Sequence, residues 1–213
     1  MIPEFQFEGN PENATEMAAY MRQRYQFVGV KTPTRRQQSK ALIKLAKKTD
    51  PATVLTWIAH FYARQEREYQ YLAIDLGVAI VPQLTLSQLH QLVAYIPQKA
   101  WWDSVDAWRK VYDGYLKRHP ADKSQIFGWF YGQPNFWLRR IAITLQLLEK
   151  DTLDTTLLTQ AIEADLETDE FFIQKAIGWA LRNYSKFNPQ WVRQFMATHQ
   201  LQPLARREGG RYL

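Results

Sequence analysis

Apolar residues recur every three or four positions along most of the chain, which is the spacing of an α-helix with one buried face. The pattern is clearest over residues 17–25, 42–46, 54–61, 86–96 and 101–115. Composition agrees with a helical fold, because the chain holds only 9 Gly beside 8 Trp, 11 Tyr and 11 Phe. A turn-rich β fold would need more glycine. The pattern therefore predicts an all-α protein.

Helix starts are marked where a capping side chain precedes a proline, a residue suited to the first helical position. Four such pairs occur: Asn10-Pro11, Thr32-Pro33, Asp50-Pro51 and Asn188-Pro189. Thr85 and Ser87 offer another start. The spacing of starts and breaks predicts helices of roughly 12 to 18 residues joined by short links. No linker is long enough to separate domains, so we expect a single domain over residues 1–213.

Helical hairpins of about 40 residues per pair have the length of HEAT repeats. We therefore predict a HEAT-like helical repeat solenoid, whose concave face would suit an extended ligand. No strict sequence repeat is present, and an ordinary helical bundle is the alternative.

Charge is unevenly distributed along the chain, which carries 27 basic and 21 acidic residues and a net charge of +6. Seven basic residues lie between positions 31 and 48, and seven acidic residues lie between positions 151 and 170 with no basic residue among them. Segregation of this kind could give one positive face for DNA. The alternative is two solvated helix faces of opposite sign.

Several chemistries are absent from the pattern. The chain has no Cys, which excludes a disulfide scaffold, a thiol nucleophile and thiolate metal sites. The four His residues are widely separated, and neither a phosphate-binding glycine loop nor a Gly-x-Ser-x-Gly elbow occurs. No apolar run approaches the ~18 residues of a membrane helix, and the N-terminus lacks signal-peptide features. We expect no metal, cofactor or membrane partner, and a cytoplasmic location.

The densest aromatic segment is 101–108, with the sequence WWDSVDAW. In a helix, Trp102 and Asp106 are four residues apart and share a face. An indole ring beside a carboxylate suits a cationic or cation-forming substrate, since both attract positive charge. The alternative is an amphipathic helix with an aspartate near its N-terminal end, where the helix dipole favours it.

Two further segments combine aromatic and basic residues. In the first, Arg140 lies off the apolar stripe of Trp137 and Ile141 and could reach phosphate, although a plain surface arginine is the alternative. In the second, Lys175, Trp179 and Arg182 follow helical spacing and would share a face. A Trp with a cation one turn away on each side resembles an aromatic contact between phosphate-binding groups.

These segments, in this order, resemble the AlkD-type DNA alkylation repair glycosylases. The resemblance begins near residues 18–21, continues through 29–36, 67–70, 101–106, 137–143 and 171–184, and ends at 204–208. It implies a HEAT-like solenoid with a concave basic DNA-binding face. It also implies hydrolysis of the N-glycosidic bond of cationic alkylpurines, such as 3-methyladenine and 7-methylguanine, in duplex DNA without base flipping.

The resemblance also implies roles for individual residues. Asp106 matches the catalytic carboxylate, Trp102 and Trp179 the active-site tryptophans, and Arg140 the DNA-gripping arginine near the lesion. The expected DNA contacts are Tyr20, Thr32 with Pro33, Arg36, Lys175, Arg182 and Arg207. The expected partner is double-stranded DNA containing alkylated bases, bound by a monomer of a bacterial cytoplasm.

Two departures from the family pattern affect this reading. Lys31 stands where relatives often have glutamine, and Gly209-Gly210 lies where a final helical stretch is expected, which predicts a short last helix. Two rival functions stay open: a non-catalytic DNA-binding repeat protein and a protein–protein interaction scaffold.

Overall fold

All regular secondary structure in the computed structural model, which describes residues 1–213, is helical. There are 12 α-helices, four short 3-10 segments and no strand, with one isolated bridge between Gln26 and Glu66. The all-α prediction is confirmed. The chain forms two units, Met1–Tyr95 and Ile96–Leu213. The expectation of one domain over residues 1–213 stays a prediction, as does the concave basic face.

The first unit, Met1–Tyr95, contains five α-helices. They are α1 Pro11–Tyr20, α2 Thr32–Ala46, α3 Pro51–Ala63, α4 Arg67–Ile80 and α5 Leu86–Gln91, with 3-10 segments at Val81–Gln83 and Leu92–Tyr95. Helix α4 packs against both α2 and α3. The core of this unit lies along α3 and α4, where Ile58, Leu72 and Leu76 are fully buried.

The second unit, Ile96–Leu213, contains seven α-helices. They are α6 Trp102–Leu116, α7 Lys123–Gly128, α8 Phe136–Thr144, α9 Thr155–Glu163, α10 Phe171–Tyr184, α11 Pro189–Thr198 and α12 Pro203–Gly209, with 3-10 segments at Pro120–Asp122 and Gly210–Tyr212. Helix α10 is central, since it packs against α8, α11 and α12, and α8 in turn packs against α6.

Most of the predicted helix starts are confirmed. The side chains of Asn10, Asp50 and Asn188 each accept a hydrogen bond from a backbone N–H three residues on, and Thr85 forms a capping box with Gln88. Each caps an N–H that has no partner within the helix. The Thr32-Pro33 prediction is wrong by one residue, because α2 begins at Thr32 and Lys31 is the N-cap, with no side-chain hydrogen bond.

Two elements differ from the periodic pattern. Helix α1 ends at Tyr20 although the pattern continues to position 25, because the backbone turns through positive φ angles at Arg22 and Gln23. The 86–96 stretch is α-helical only to Gln91 and then becomes a 3-10 segment. No helix is both long enough and apolar enough to cross a bilayer.

Candidate functional site

Helix α6 provides one wall of a cavity in the second unit. Trp101, Val105 and Trp108 form the predicted buried stripe of this helix, while Trp102 and Asp106 line the cavity one turn apart. The first-turn acidic residue of α6 is Asp103. Asp106 lies further along and its side chain is 20% exposed. The helix is thus amphipathic, as the alternative interpretation required, but Asp106 lies in the cavity rather than at the helix end.

The Asp106 carboxylate is held by Arg140 of α8. Arg140 Nε donates to Asp106 Oδ1 and Nη2 donates to Oδ2, both at 2.9 Å, while Nη1 donates to the Phe172 carbonyl at 2.6 Å. This two-pronged contact fixes the plane of the carboxylate as well as its position. The surface-arginine alternative for Arg140 is wrong, because the residue is only 5% exposed. Its role as a DNA contact stays a prediction.

Helix α10 contributes further residues to the lining of the same cavity. Lys175, Trp179 and Arg182 all line the same cavity as Asp106, so the face predicted from their spacing is confirmed. The backbone of α10 is crowded at this level by α12, because a Cβ added to Gly178 would lie 2.5 Å from Glu208 Cβ. Only a glycine fits at position 178 without moving α12.

Glu208 of α12 completes the cavity and was not found from the sequence. Its Oε1 accepts from Lys175 Nζ at 3.1 Å, and its Oε2 accepts from Arg182 Nη1 at 2.8 Å. The hydrogen bond from Lys175, reinforced by the charges of Lys175, Arg182 and Arg207, lowers the pKa of Glu208, while partial burial acts in the opposite direction. Glu208 is therefore ionised at neutral pH.

The cavity has a volume of about 300 Å³ and is completed by Phe171 and Phe172. Its lining carries three cationic side chains, from Arg140, Lys175 and Arg182, and two carboxylates, from Asp106 and Glu208. The net charge of the lining is therefore +1. Aromatic faces, a fixed carboxylate and a slight positive excess suit a ligand that combines phosphate groups with a centre of positive charge.

The predicted DNA contacts of the first unit lie on its surface. Tyr20 is 72% exposed, and Thr32 and Arg36 are also exposed. Arg36 lines a groove of about 900 Å³ between α2 and α4 together with Lys40, Lys44 and Lys47. This groove is larger than the cavity around Asp106, and its lining has no aromatic ring and includes one carboxylate, Asp75, beside the four basic residues.

The two departures noted in the sequence have simple structural settings. Lys31 pairs with Glu16 at 2.9 Å, and both side chains are exposed. The last helix is short, as predicted, with seven residues from Pro203 to Gly209. Arg207 is exposed, lies outside the cavity lining and approaches Glu208 only to 3.7 Å. Its assignment as a DNA contact stays a prediction.

A buried carboxylate in the first unit fixes the segment that leads into α2. Glu68 is fully buried and accepts hydrogen bonds from the backbone N–H groups of Val28, Gly29 and Val30 at 2.9–3.0 Å. A carboxylate that accepts three N–H groups forms strong charge-assisted bonds. The position of Thr32, two residues after this segment, is therefore set by an interaction with α4.

Similarity to known proteins extends over nearly the whole chain. A family model described as DNA alkylation repair enzyme matches residues 1–213. The solved structure of a predicted DNA alkylation repair enzyme from Enterococcus faecalis is 48% identical, with a TM-score of 0.97 and coverage of 99% of each chain. No curated protein matches the sequence. With a family match over its whole length and a near-identical fold in a relative of this identity, the chain belongs to the DNA alkylation repair enzyme family.

Proposed function

We propose that this protein is a monofunctional DNA glycosylase that hydrolyses the N-glycosidic bond of cationic alkylated purines in duplex DNA. The observation that supports this best is that Asp106, Trp102 and Trp179 line one cavity together with three cationic side chains. The family match adds DNA alkylation repair as the setting. The substrates expected from the resemblance are 3-methyladenine and 7-methylguanine.

The chemistry needs no general acid. Ordinary glycoside hydrolysis uses a protonated carboxyl group to assist a poor leaving group. A purine alkylated at N3 or N7 already carries positive charge, so when the C1′–N bond breaks the electron pair leaves with the base, which becomes neutral. The second carboxylate of the cavity, Glu208, is ionised and cannot supply a proton. A set without an acid therefore favours cationic lesions over neutral damaged bases.

Asp106 is the residue that acts on the sugar. Its carboxylate stabilises the oxocarbenium charge that develops at C1′ and accepts a hydrogen bond from the water that attacks there. An ionised carboxylate has about four lone-pair sites, and Arg140 uses two of them. The indoles of Trp102 and Trp179 add their negative ring faces to the stabilisation of positive charge.

Binding to the duplex relies on cations that contact phosphates. We assign this role to Lys175 and Arg182 beside the cavity, to Arg207, and to Tyr20, Thr32 and Arg36 in the first unit. Each phosphate contact releases a condensed counterion, so affinity should fall steeply as salt is added. Following the resembled family, we propose that the damaged base stays in the stack while the protein contacts sugar and backbone.

The test is release of free 7-methylguanine from methylated duplex DNA by the parent protein and by Asp106→Asn. The amide keeps one acceptor for Arg140 and removes the charge, so release should stop while DNA is still bound. Asp165→Asn is the matched control. Asp165 pairs with Arg139, the neighbour of Arg140 in α8, and it lies outside the cavity. It should still release base.

Full activity of Asp106→Asn would refute the role of that carboxylate. If neither the parent nor the variant releases base, while DNA binding remains sensitive to salt, the protein is a non-catalytic DNA-binding member of the family. If the parent does not bind DNA, the interaction-scaffold alternative takes its place.

A further inference from the structure

Glu208 lies between Lys175 and Arg182, the two cations that contact DNA phosphate in the proposed function. Lys175 and Arg182 lie seven residues apart on α10, and the carboxylate of Glu208 accepts a hydrogen bond from each. The Glu208 side chain is 18% exposed, whereas those of Lys175 and Arg182 are 40% and 25% exposed. Of these three side chains, Glu208 is therefore the most enclosed, and its two cationic partners are more exposed.

The position of Glu208 depends on the close approach of two helices rather than on a flexible surface side chain. Gly178 lies between Lys175 and Arg182 on α10, and its missing side chain lets Glu208 Cβ lie against the backbone. Behind it, Gly209 packs against Leu181 and Ala205 is fully buried. The packing of α12 against α10 thus places the Glu208 carboxylate in the cavity.

An ionised carboxylate in this place has two electrostatic consequences. A DNA phosphate that approaches Lys175 or Arg182 must compete with an anion already bound to both. In addition, Glu208 affects the positive charge that develops on the sugar. If Glu208 were neutral, that charge would face three cationic side chains, and Asp106 would be the only carboxylate opposing them. With Glu208 ionised, the net charge of the cavity lining falls from +2 to +1.

We propose that Glu208 is an internal counter-anion that weakens the hold of Lys175 and Arg182 on phosphate and lowers the barrier to cleavage of the glycosidic bond. The second half of this proposal rests on the proposed glycosylase function. Glu208 contacts the cations rather than the reacting atoms, so it is a positioning residue. It makes DNA binding weaker and base release faster, two effects that a purely structural role would not produce together.

The experiment compares Glu208→Gln with the parent in two assays. Affinity for an unmodified duplex is measured by fluorescence anisotropy over a range of salt concentrations, and 7-methylguanine release is measured under single-turnover conditions. If the freed cations take one more phosphate, the slope of log K against log salt steepens by about 0.9 and binding tightens by about five- to tenfold near 0.1 M salt. Release should slow by roughly three- to tenfold, because DNA phosphates are present in both complexes but the cavity lining of the variant has one negative charge fewer beside the developing positive charge.

Glu163→Gln is the matched control. It makes the same charge change in the same unit, at a half-exposed side chain that pairs with His199 and does not line the cavity. Its affinity and release rate should stay close to those of the parent. Weaker or unchanged DNA binding by a folded Glu208→Gln variant would overturn the proposal, as would an undiminished release rate.

A second comparison keeps the proposal testable if Glu208→Gln alone does not fold. In a Lys175→Gln background, the neutral pair can still form a hydrogen bond, and adding Glu208→Gln should tighten DNA binding through Arg182; no gain there would overturn the proposal. If the parent releases no base, the proposed function fails on its own, and the affinity comparison decides whether Glu208 competes with phosphate.

Discussion

The contact between α10 and α12 predicts that a very small substitution, Gly178→Ala, destabilises the protein. The added methyl group would lie 2.5 Å from Glu208 Cβ and 3.2 Å from the Ala205 carbonyl oxygen. Neither neighbour is the far end of a flexible side chain, so rotation of a side chain cannot relieve the contact. Helix α12 must therefore retreat by about 1 Å to reach an ordinary carbon–carbon separation.

The magnitude of the effect combines three contributions. Overpacking of a tight helix contact costs about 1–3 kcal/mol. A retreat of about 1 Å would stretch the bond between Glu208 and Arg182 from 2.8 Å beyond hydrogen-bonding range, and partly exposed pairs of this kind contribute about 0.2–1 kcal/mol each. Alanine regains about 1 kcal/mol of helix propensity. The net expectation is a loss of about 0.2–3 kcal/mol, or a Tm lower by up to about 12 °C.

Thermal unfolding of Gly178→Ala, the parent and Gly128→Ala measures this loss. Gly128 is also a helical glycine of the second unit, but a Cβ there meets nothing within 4 Å. Gly128→Ala should therefore be neutral or slightly stabilising. The packing argument is refuted if Gly178→Ala is as stable as Gly128→Ala, because the methyl group would then fit without displacing α12.

Two further substitutions test the cavity and the hydrogen bonds by which Glu68 holds residues 28–30. Trp179→Ala should slow release of 7-methylguanine about five- to thirtyfold, because an aromatic face is lost from the cavity. Trp191→Ala is the control, since it removes a ring that packs on Phe195 outside the cavity, and it should not slow release. Equal release rates for the two variants would remove Trp179 from the mechanism. Glu68→Gln should destabilise the protein by about 2–4 kcal/mol and accelerate amide hydrogen exchange over residues 28–30, because the amide leaves a buried N–H without an acceptor. Glu66→Gln, at a partly exposed neighbour, should cost little, and unchanged protection of residues 28–30 in Glu68→Gln would contradict the anchoring role.

Local sequence signals predicted the features that depend on neighbours in the chain. Caps such as Asn10 and Asp50 bond to N–H groups three residues away, so sequence spacing alone determines them. Helical periodicity likewise brought Trp102 next to Asp106, and Lys175 next to Trp179. The apolar stripe of Trp137 and Ile141 is buried, but it does not continue to Leu148, because α8 ends at Thr144 and Leu148 is 52% exposed.

The interactions that complete the site lie beyond such reasoning. Asp106 and Arg140 are 34 residues apart, and Glu208 is 33 residues from Lys175. Spacing along one helix shows which residues share a face, but not which face of another helix meets it. The presence of Gly178 within α10 was the available signal for Glu208, since a glycine inside a helix often marks a close approach by another element. Which element approaches could be learned only from the structure.

The pairing of charges in the cavity provides a physical account of the proposed selectivity for cationic lesions. The Asp106 carboxylate pairs with Arg140, and that of Glu208 pairs with Lys175 and Arg182, whose hydrogen bond and charges lower the pKa of Glu208. In the proposed mechanism, such a site stabilises positive charge on the sugar and supplies no proton to the base. Under the proposed function, activation of the leaving group must therefore come from the alkylation itself, and an undamaged neutral purine would gain little from the same contacts. Selectivity would then arise from the substrate's own charge and would require no pocket shaped to the damaged base.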